Sequence, residues 1–594
     1  MPRLAAYLLF FCIALPACTN IQTETTEVSE AVTADQQLAS FLATDWERFM
    51  RQYPEYASYF GMGDDQQNSR WTDESLQAYQ QRHLADKAAL AQLQQINRAQ
   101  LSPLQQTNYD LYQWQLEMQI ASHQFKTHLI PISQRDGIQT VDDFANYVPL
   151  NTLQDYKNWL ARLDALPTVI DQTRQLMEMG IQENIVPPEK TLSRATEQFE
   201  RQLVDNPRDS LFFVPFANLP EHFTAEQKAQ LQAQAERIIG DKIVPKYREF
   251  TLFFVQQYLP ACSKDDGLWA RENGKQYYEY LVEYFTTTNM TPDEIHQLGL
   301  QEVARNRAEM DKVIEEVGFE GSFDEFLQFL RTDPQFYYDT PEALYEGYLA
   351  VSKRLDPELT KLFGKLPRMP YGVKPIPDNA APDTTTAYYS GPSADGMRPG
   401  YYYVNLYKPE TRPKYEMEVL SVHEAVPGHH LQIALQSELG ELPLFRRFLG
   451  FTVFIEGWGL YSERLGYDMG LYQDPYSRFG QLTYDMWRSV RLVVDTGIHY
   501  KGWTRQEAID YFKANAAKSE QDIINEIDRY ITNPGQALAY KIGQLKMLEL
   551  REHAKQTLGD KFDIRAFHDT MLGAGSVPLN VLEDNINQWI ESVE

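Results

Sequence analysis

Apolar residues recur at intervals of three and four positions through most of the first half of this chain. In the segment TDESLQAYQQRHLADKAALAQLQQI they are separated by polar residues, which is the pattern of amphipathic α-helices. The hydroxyl groups of Thr72 and Thr224 are suited to cap the first free backbone N–H groups of such helices. Pro103 and Pro167 are expected to lie near helix ends, because proline disrupts a helix interior. Residues 36–268 are therefore predicted to form an N-terminal helical region.

The second half, residues 269–594, combines strong helix signals with one segment of different character. Thr291 and the proline after it begin a long amphipathic segment, as expected for a helix N-cap and first turn. The run YYYVNLY at 401–407 favours a β-strand, and its edge is a candidate for pairing with an extended peptide. We predict a mainly α fold with a small β element at about 387–407.

Size and charge narrow the classes of function. A chain of 594 residues with 43% hydrophobic residues can bury a large core. The formal net charge of −28 argues against a nucleic-acid partner, because no basic surplus exists to neutralise phosphates. Outside the first eighteen residues Cys262 is the only cysteine, so packing rather than internal disulfides is expected to hold the fold.

The N-terminal segment has the features of an export signal. Arg3 precedes an apolar run that is too short to span a bilayer comfortably, which indicates a signal peptide over residues 1–17. The sequence LPAC resembles a lipobox, so Cys18 is predicted to carry a lipid anchor; an ordinary signal peptide is the alternative. Residues 18–35 are polar and read as a flexible tether. Thr19 favours the bacterial outer membrane, facing the periplasm, by resemblance to lipoprotein sorting rules.

A cluster of histidines, SVHEAVPGHHLQ at 421–432, carries the strongest chemical signal. His423 followed by Glu424 is typical of zinc peptidases, in which the histidine binds metal and the glutamate activates water. In a regular helix neither His429 nor His430 would converge with His423 on one ion. Because Pro427 cannot donate a backbone hydrogen bond and glycine follows it, we expect a widened turn that brings His429 beside His423.

The segment FTVFIEGWGLYSERLG at 451–466 offers a third ligand. Gluzincin peptidases take a glutamate from a helix some way beyond the histidines, and Glu456 lies in an otherwise apolar run. Glu463 follows two turns later and is expected to orient a ligand histidine, although the two glutamates could exchange these roles. For stabilisation of an oxyanion, Tyr540 and His499 are candidates; a structural hydrogen bond is the alternative for each.

The segments HEAVPGHHLQ, FIEGWGLYSERLGYDMG, RLVVDTGIHYKGW and PGQALAYKIGQLK together resemble the domain of unknown function 885 family. Members of this family resemble gluzincin metallopeptidases and are often bacterial lipoproteins. The family pattern selects the histidine directly after glycine, His429, as the second ligand. The resemblance implies a large helical, gluzincin-like fold with a deep channel.

These observations predict one Zn²⁺ ion held by His423, His429 and Glu456, with Glu424 as the general base in hydrolysis of short peptides. A zinc amidase acting on a non-peptide or cell-wall-derived substrate is the first alternative. A non-catalytic binding lipoprotein is the second, although a structural metal site would have no use for Glu424. The only expected membrane contact is the lipid anchor.

Overall fold

The computed structural model describes residues 33–377, 381, 385–392, 396, 398–440, 442–448 and 450–594. Helices dominate these residues, which confirms the prediction of a mainly α fold. The α-helices of the first half are α1 (Ala34–Gln52), α2 (Pro54–Tyr59), α3 (Asp65–Asn68), α4 (Leu76–Leu93), α5 (Pro103–Ser122), α6 (Leu153–Glu183), α7 (Glu189–Leu192), α8 (Ala195–Arg201), α9 (Val214–Ala217), α10 (Ala225–Ile238), α11 (Val244–Phe253), α12 (Leu259–Ala261) and α13 (Gly274–Thr286).

The α-helices of the second half include the two that carry the histidine cluster. They are α14 (Pro292–Glu316), α15 (Phe323–Thr332), α16 (Pro341–Leu355), α17 (Leu359–Leu362), α18 (Met417–Glu424), α19 (His429–Ser437), α20 (Leu444–Phe448), α21 (Thr452–Asp468), α22 (Pro475–His499), α23 (Arg505–Asn515), α24 (Glu520–Thr532), α25 (Ala539–Leu558), α26 (Ile564–Gly573) and α27 (Leu579–Val593).

Three strands form one small sheet: β1 (Tyr371–Pro375), β2 (Ala387–Ser390) and β3 (Gly400–Val404). β3 lies in the centre, parallel to β1 and antiparallel to β2. The expectation that the 401–407 run supplies a free strand edge is therefore wrong, because both edges of β3 are paired. Among the described residues β2 is paired on one side only, and it packs beside α18.

Local capping decides most helix starts as the sequence predicts. Thr224 and Thr291 cap α10 and α14, and each forms a reciprocal capping box with the third residue of its helix. At the start of α4 the cap is Ser75 instead, because the hydroxyl of Thr72 is engaged by Glu55 at 2.6 Å.

Pro167 does not end a helix as expected, since α6 continues through it. A proline inside a helix costs about 3 kcal/mol. The side chains of Leu163, Leu166 and Ile170, on both sides of the proline, are completely or almost completely buried. Burial of each stabilises the fold by about 1.5–3 kcal/mol, so packing outweighs the disruption.

Packing divides into three apolar cores. One lies within the first half, between residues 71 and 262. A second combines α1, α4 and α5 with residues 268–590, so the first helices of the chain pack on the second half. The third extends along α22 from Phe479 to Ile498. The division of the body at residue 268 stays a prediction.

None of the helices in the described ranges is long and apolar enough to cross a membrane. The predicted signal peptide, Cys18 and the tether up to residue 32 lie outside the described residues.

Candidate metal centre

The helix that carries His423 is interrupted directly after Glu424. α18 ends there, and α19 begins at His429 after a cis peptide bond between Val426 and Pro427. The chain makes a widened turn at Pro427 and Gly428, as the sequence predicts, but it forms two separate helices there rather than one distorted helix. Pro427 has no N–H to continue α18.

Gly428 permits the close backbone contacts of this turn. Its N–H donates to the carbonyl of Val422 at 2.9 Å, and a Cβ at this position would lie 1.9 Å from the carbonyl oxygen of His423. Only glycine fits such an approach of one backbone to another. Beyond this turn α19 begins at His429, whose ring faces that of His423; their ring centroids are 4.7 Å apart.

His423, His429 and Glu456 each direct one ligand atom to a common point. The three atoms lie within 4.8 Å of one another. Oε2 of Glu456 is 3.5 Å from Nε2 of His429 and 3.9 Å from Nε2 of His423. Ligands at tetrahedral positions around an ion, with bonds of about 2.1 Å, are separated by roughly 3.4 Å. The observed spacing is close to this value.

α21 brings Glu456 to the histidines, and a glycine on the same helix leaves room for their rings. A Cβ on Gly459 would lie 2.8 Å from Cε1 of His423 and 3.1 Å from Cε1 of His429. Two residues earlier on the same helix, Gly457 faces Gly543 of α25, and a Cβ on Gly457 would lie 2.6 Å from the Cα of Gly543. Gly459 thus allows the two imidazoles to lie against α21, and Gly457 allows α21 to pack closely against α25.

Glu463 lies behind the histidines rather than among the ligand atoms. Its Oε1 accepts a hydrogen bond from Nδ1 of His423 at 2.8 Å, and Arg488 is 3.5 Å from the same oxygen. This contact leaves Nε2 of His423 directed at the common point. A carboxylate on the other ring nitrogen is the usual outer partner of a metal-binding histidine. The structure thus places Glu456 with the two histidines and Glu463 behind His423.

His430 follows His429 in the sequence but takes no part in the cluster. Its Nε2 donates to the carbonyl of Met369 at 3.0 Å, and its Nδ1 lies 2.8 Å from the hydroxyl of Tyr389. His430 therefore ties α19 to the segment before β1 and to β2.

The electrostatic environment fits a cation at the common point. Burial lowers the pKa of His423 well below its ordinary value, so that this imidazole is neutral and able to bind metal. Oε2 of Glu456 and Nδ1 of His429 are buried without a hydrogen-bond partner in the described part of the chain. Two imidazoles and one carboxylate are a donor set suited to zinc, and the residues present therefore fit this ion.

Glu424 lines the same cavity as the three ligand residues. Burial raises the pKa of its carboxyl group to about 7, although His429 lowers it and the backbone of Tyr389 donates a hydrogen bond to it. A carboxyl group with such a pKa can accept and return a proton near neutral pH. The cavity has a volume of about 310 Å³, and residues of β2 form part of its wall.

The structure brings only one of the two predicted oxyanion donors to this cavity. Tyr540, at the start of α25, lines it, and its hydroxyl lies close enough to Glu456 to help His429 lower the pKa of that carboxyl group against the effect of burial. Nε2 of Gln536 lies 3.5 Å from the Tyr540 hydroxyl.

The prediction for His499 needs correction, because its two ring nitrogens are engaged elsewhere. Nδ1 accepts from the N–H of Leu268 at 3.3 Å, and Nε2 donates to the carbonyl of Tyr530 at 2.9 Å. His499 is the last residue of α22, eight residues or about 12 Å beyond Arg491, which does line the cavity. Its role is structural.

Sequence reasoning marks the segment of Arg491 as part of the site but assigns no role to any of the arginines that line this cavity. Arg488 and Arg491 lie one turn apart in the segment MWRSVRLVV of α22, and they are only 5% and 4% exposed. Two cations in an almost fully buried helix need anionic partners or ligands, so their apolar surroundings are a signal that sequence can supply. Arg529 of α24 and Arg135, from the first half, complete the set.

Comparisons with known proteins support this picture of the fold. A crystal structure described as a "putative lipoprotein" from Colwellia psychrerythraea matches with a TM-score of 0.88 and 28% identity, over 95% of this chain and all of that chain. A second, a "putative lipoprotein of unknown function" from Shewanella oneidensis, matches at 0.71 and 18% identity, over 92% of this chain and 99% of that chain. At that identity it shows a shared fold alone. No curated protein matches the chain.

The family comparison covers nearly the whole body of the protein. The model described as "Bacterial protein of unknown function (DUF885)" matches residues 54–586, which include every residue of the candidate metal centre. The chain belongs to the DUF885 family.

Proposed function

We propose that this protein is a zinc-dependent peptidase that hydrolyses short peptides at the bacterial cell envelope. The observation that carries the proposal is the convergence of His423, His429 and Glu456 within 4.8 Å, with Glu424 in the same cavity. A structural metal site has no need of a free carboxyl group beside it, which favours catalysis over binding alone. The proposed fold is gluzincin-like, with the cavity at the inner end of a channel.

The chemistry divides between the ion and the protein. Zinc in this position supplies an electrophile that polarises the substrate carbonyl and acidifies water. Glu424 takes a proton from the attacking water as the oxygen bonds to the amide carbon. When the C–N bond breaks, Glu424 delivers this proton to the nitrogen, and the products are a carboxylic acid and an amine.

Two further groups at the cavity suit a peptide substrate. The hydroxyl of Tyr540 lies beside Glu456 and is able to donate to an oxyanion that develops there. Among the described residues β2 is paired with a strand on one side only, and Thr385 to Tyr389 stand in the cavity wall, where their backbone groups are offered to an extended peptide.

The proposed location is a lipid-anchored position in the envelope, with outer-membrane attachment facing the periplasm. It is supported by the sequence LPAC ending at Cys18 and by the description of the 28% identical Colwellia protein as a lipoprotein.

Replacement of the proposed base tests the function directly. Glu424→Gln keeps the size of the side chain but removes its basicity, so the fold and zinc content should be unchanged. Hydrolysis of a susceptible peptide should fall by about 100-fold or more, as is usual when an acid–base group is lost. The measurements are metal analysis and initial rates on a mixture of short peptides. Equal rates for the two proteins at equal zinc content would refute the proposed mechanism.

A further inference from the structure

Positive charge is concentrated in the metal-centre cavity, although the chain as a whole carries a formal charge of −28. Four arginine side chains line this cavity together with three carboxylates, and a bound zinc ion would add two further positive charges. The arginines are Arg135, Arg488, Arg491 and Arg529, and the carboxylates are Glu424, Glu456 and Glu526. The loaded cavity therefore has a surplus of positive charge, which favours an anionic group on the substrate.

One carboxylate on the wall is shared by two of these arginines. Glu526 lies 3.0 Å from Arg529 and 3.1 Å from Arg491. Arg529 also donates to Gln536 at 2.6 Å. Arg491 uses its Nε for the hydroxyl of Tyr530 at 2.8 Å and its Nη2 for Glu526, and its Nη1 is buried without a hydrogen-bond partner in the described part of the chain. An unpaired donor of this kind on a buried cation is costly unless a ligand satisfies it.

Arg135 adds a second available guanidinium to the lining of the cavity. It belongs to the loop before Ile138 in the first half of the chain and is exposed. Within the described residues its guanidinium has no hydrogen-bond or ion-pair partner. Two guanidinium groups, one buried in α22 and one on a loop, thus face the same space.

The position of Arg491 relates this site to the proposed point of cleavage. Its guanidinium carbon lies 4.3 Å from the ring centroid of Tyr540, and the hydroxyl of Tyr540 lies beside Glu456 in the lining of the same cavity. This series of contacts is about as long as two or three residues of extended peptide. An anionic group bound at Arg491 therefore lies close to the bond that the metal centre would cleave.

We propose that Arg491 and Arg135 bind the free C-terminal carboxylate of the peptide substrate. The planar guanidinium forks match a carboxylate, and the short distance to Glu456 restricts cleavage to one of the last few peptide bonds. The protein is then a carboxypeptidase that releases one to three residues. This inference rests on the proposed function for the cleavage step, but the binding step is testable without it.

Binding is measured with the full-length, zinc-loaded Glu424→Gln protein and three fluorescently labelled tetrapeptides. The first ends in a free carboxylate, the second in an amide, and the third in an amide preceded by an aspartate. The free acid should bind about tenfold or more tightly than either amide, which is the scale of a charge-assisted hydrogen bond. Equal binding of all three peptides overturns the inference. Tight binding of the aspartyl amide alone also overturns it, because the anionic group recognised is then a side chain.

Substitutions assign this preference to the two arginines. Arg135→Gln and Arg491→Lys should each reduce the preference for the free acid to less than threefold. Arg194→Gln is the matched control, because Arg194 is near this region but pairs with Asp528 at 3.4 Å and does not line the cavity. If Arg491→Lys does not fold, the exposed Arg135 still decides the question. An unchanged preference in Arg135→Gln excludes its role.

Rates with the wild-type protein separate this inference from the proposed function. Hydrolysis of acid and amide at equal rates would leave the peptidase proposal intact and refute the carboxylate site. Selective binding of the free acid without hydrolysis of any peptide would support the carboxylate site and refute the peptidase proposal.

Discussion

A methyl group added at Gly459 should weaken zinc binding while the protein still folds. The Cβ of Gly459→Ala would lie 2.8 Å from Cε1 and 2.9 Å from Nε2 of His423. Carbon atoms in contact prefer about 3.5–4.0 Å, so the imidazole must move by roughly 0.7 Å or more. His429, at 3.1 Å, must also yield. Metal–ligand distances tolerate errors of only about 0.2 Å, so the two histidines cannot keep their geometry.

We expect Gly459→Ala to lower zinc affinity by about 100-fold, at the upper end of the effects seen when the support of a ligand histidine is lost. The control is Gly573→Ala, a glycine-to-alanine change in α26 where the new Cβ meets nothing within 4 Å. Alanine is favoured over glycine in helices by about 1 kcal/mol, so this control should be slightly stabilised and bind zinc normally.

The assay is competition with a chelator of known zinc affinity, accompanied by thermal unfolding of the metal-free proteins. Metal-free Gly459→Ala should unfold cooperatively, since the clash involves side chains at the edge of a cavity. Wild-type zinc affinity in Gly459→Ala would show that His423 and His429 do not hold the ion as proposed.

Two further predictions concern neighbouring residues and the anchor. His429→Ala should abolish stoichiometric zinc, whereas His430→Ala should keep zinc but lower the free energy of unfolding by about 3 kcal/mol. The reason is that it leaves the Tyr389 hydroxyl and the Met369 carbonyl without their buried partner; metal analysis and denaturant titration distinguish these outcomes. Cys18→Ser should move the protein from the membrane to the soluble fraction on cell fractionation, and continued membrane association would place the anchor elsewhere.

Local signals in the sequence were sufficient for most of the helical fold. The caps at Thr224 and Thr291 depend on a residue and its neighbour three positions later, and both are where the sequence predicts. The position of Pro167 inside a helix is not predictable in the same way. It is tolerated because Leu163 and Ile170 pack in a core whose other residues are far away in the sequence. The central place of β3 likewise depends on β1, which lies outside the predicted β element.

In the candidate site, too, the residues that are close in sequence are predictable and those brought together by the tertiary fold are not. His423, Glu424 and His429 are close in sequence, and their chemistry is legible from residue type and spacing. His499 was misassigned because the orientation of a buried histidine depends on carbonyl and N–H groups from other elements, here those of Tyr530 and Leu268. The arginines of the cavity come from α22, α24 and the first half of the chain, and only the tertiary fold brings them together.

The interruption of the helix between Glu424 and His429 explains why two adjacent histidines have different roles. In one regular helix His429 would point about 120° away from His423, and no single ion could bind both. Because α19 starts anew at His429, its first side chain faces α18, and the next, about 100° further round, faces β2 instead. The proline and glycine that interrupt the helix are therefore as necessary to the proposed zinc site as the two histidines themselves. A chain with the same histidines on an uninterrupted helix would lack the site.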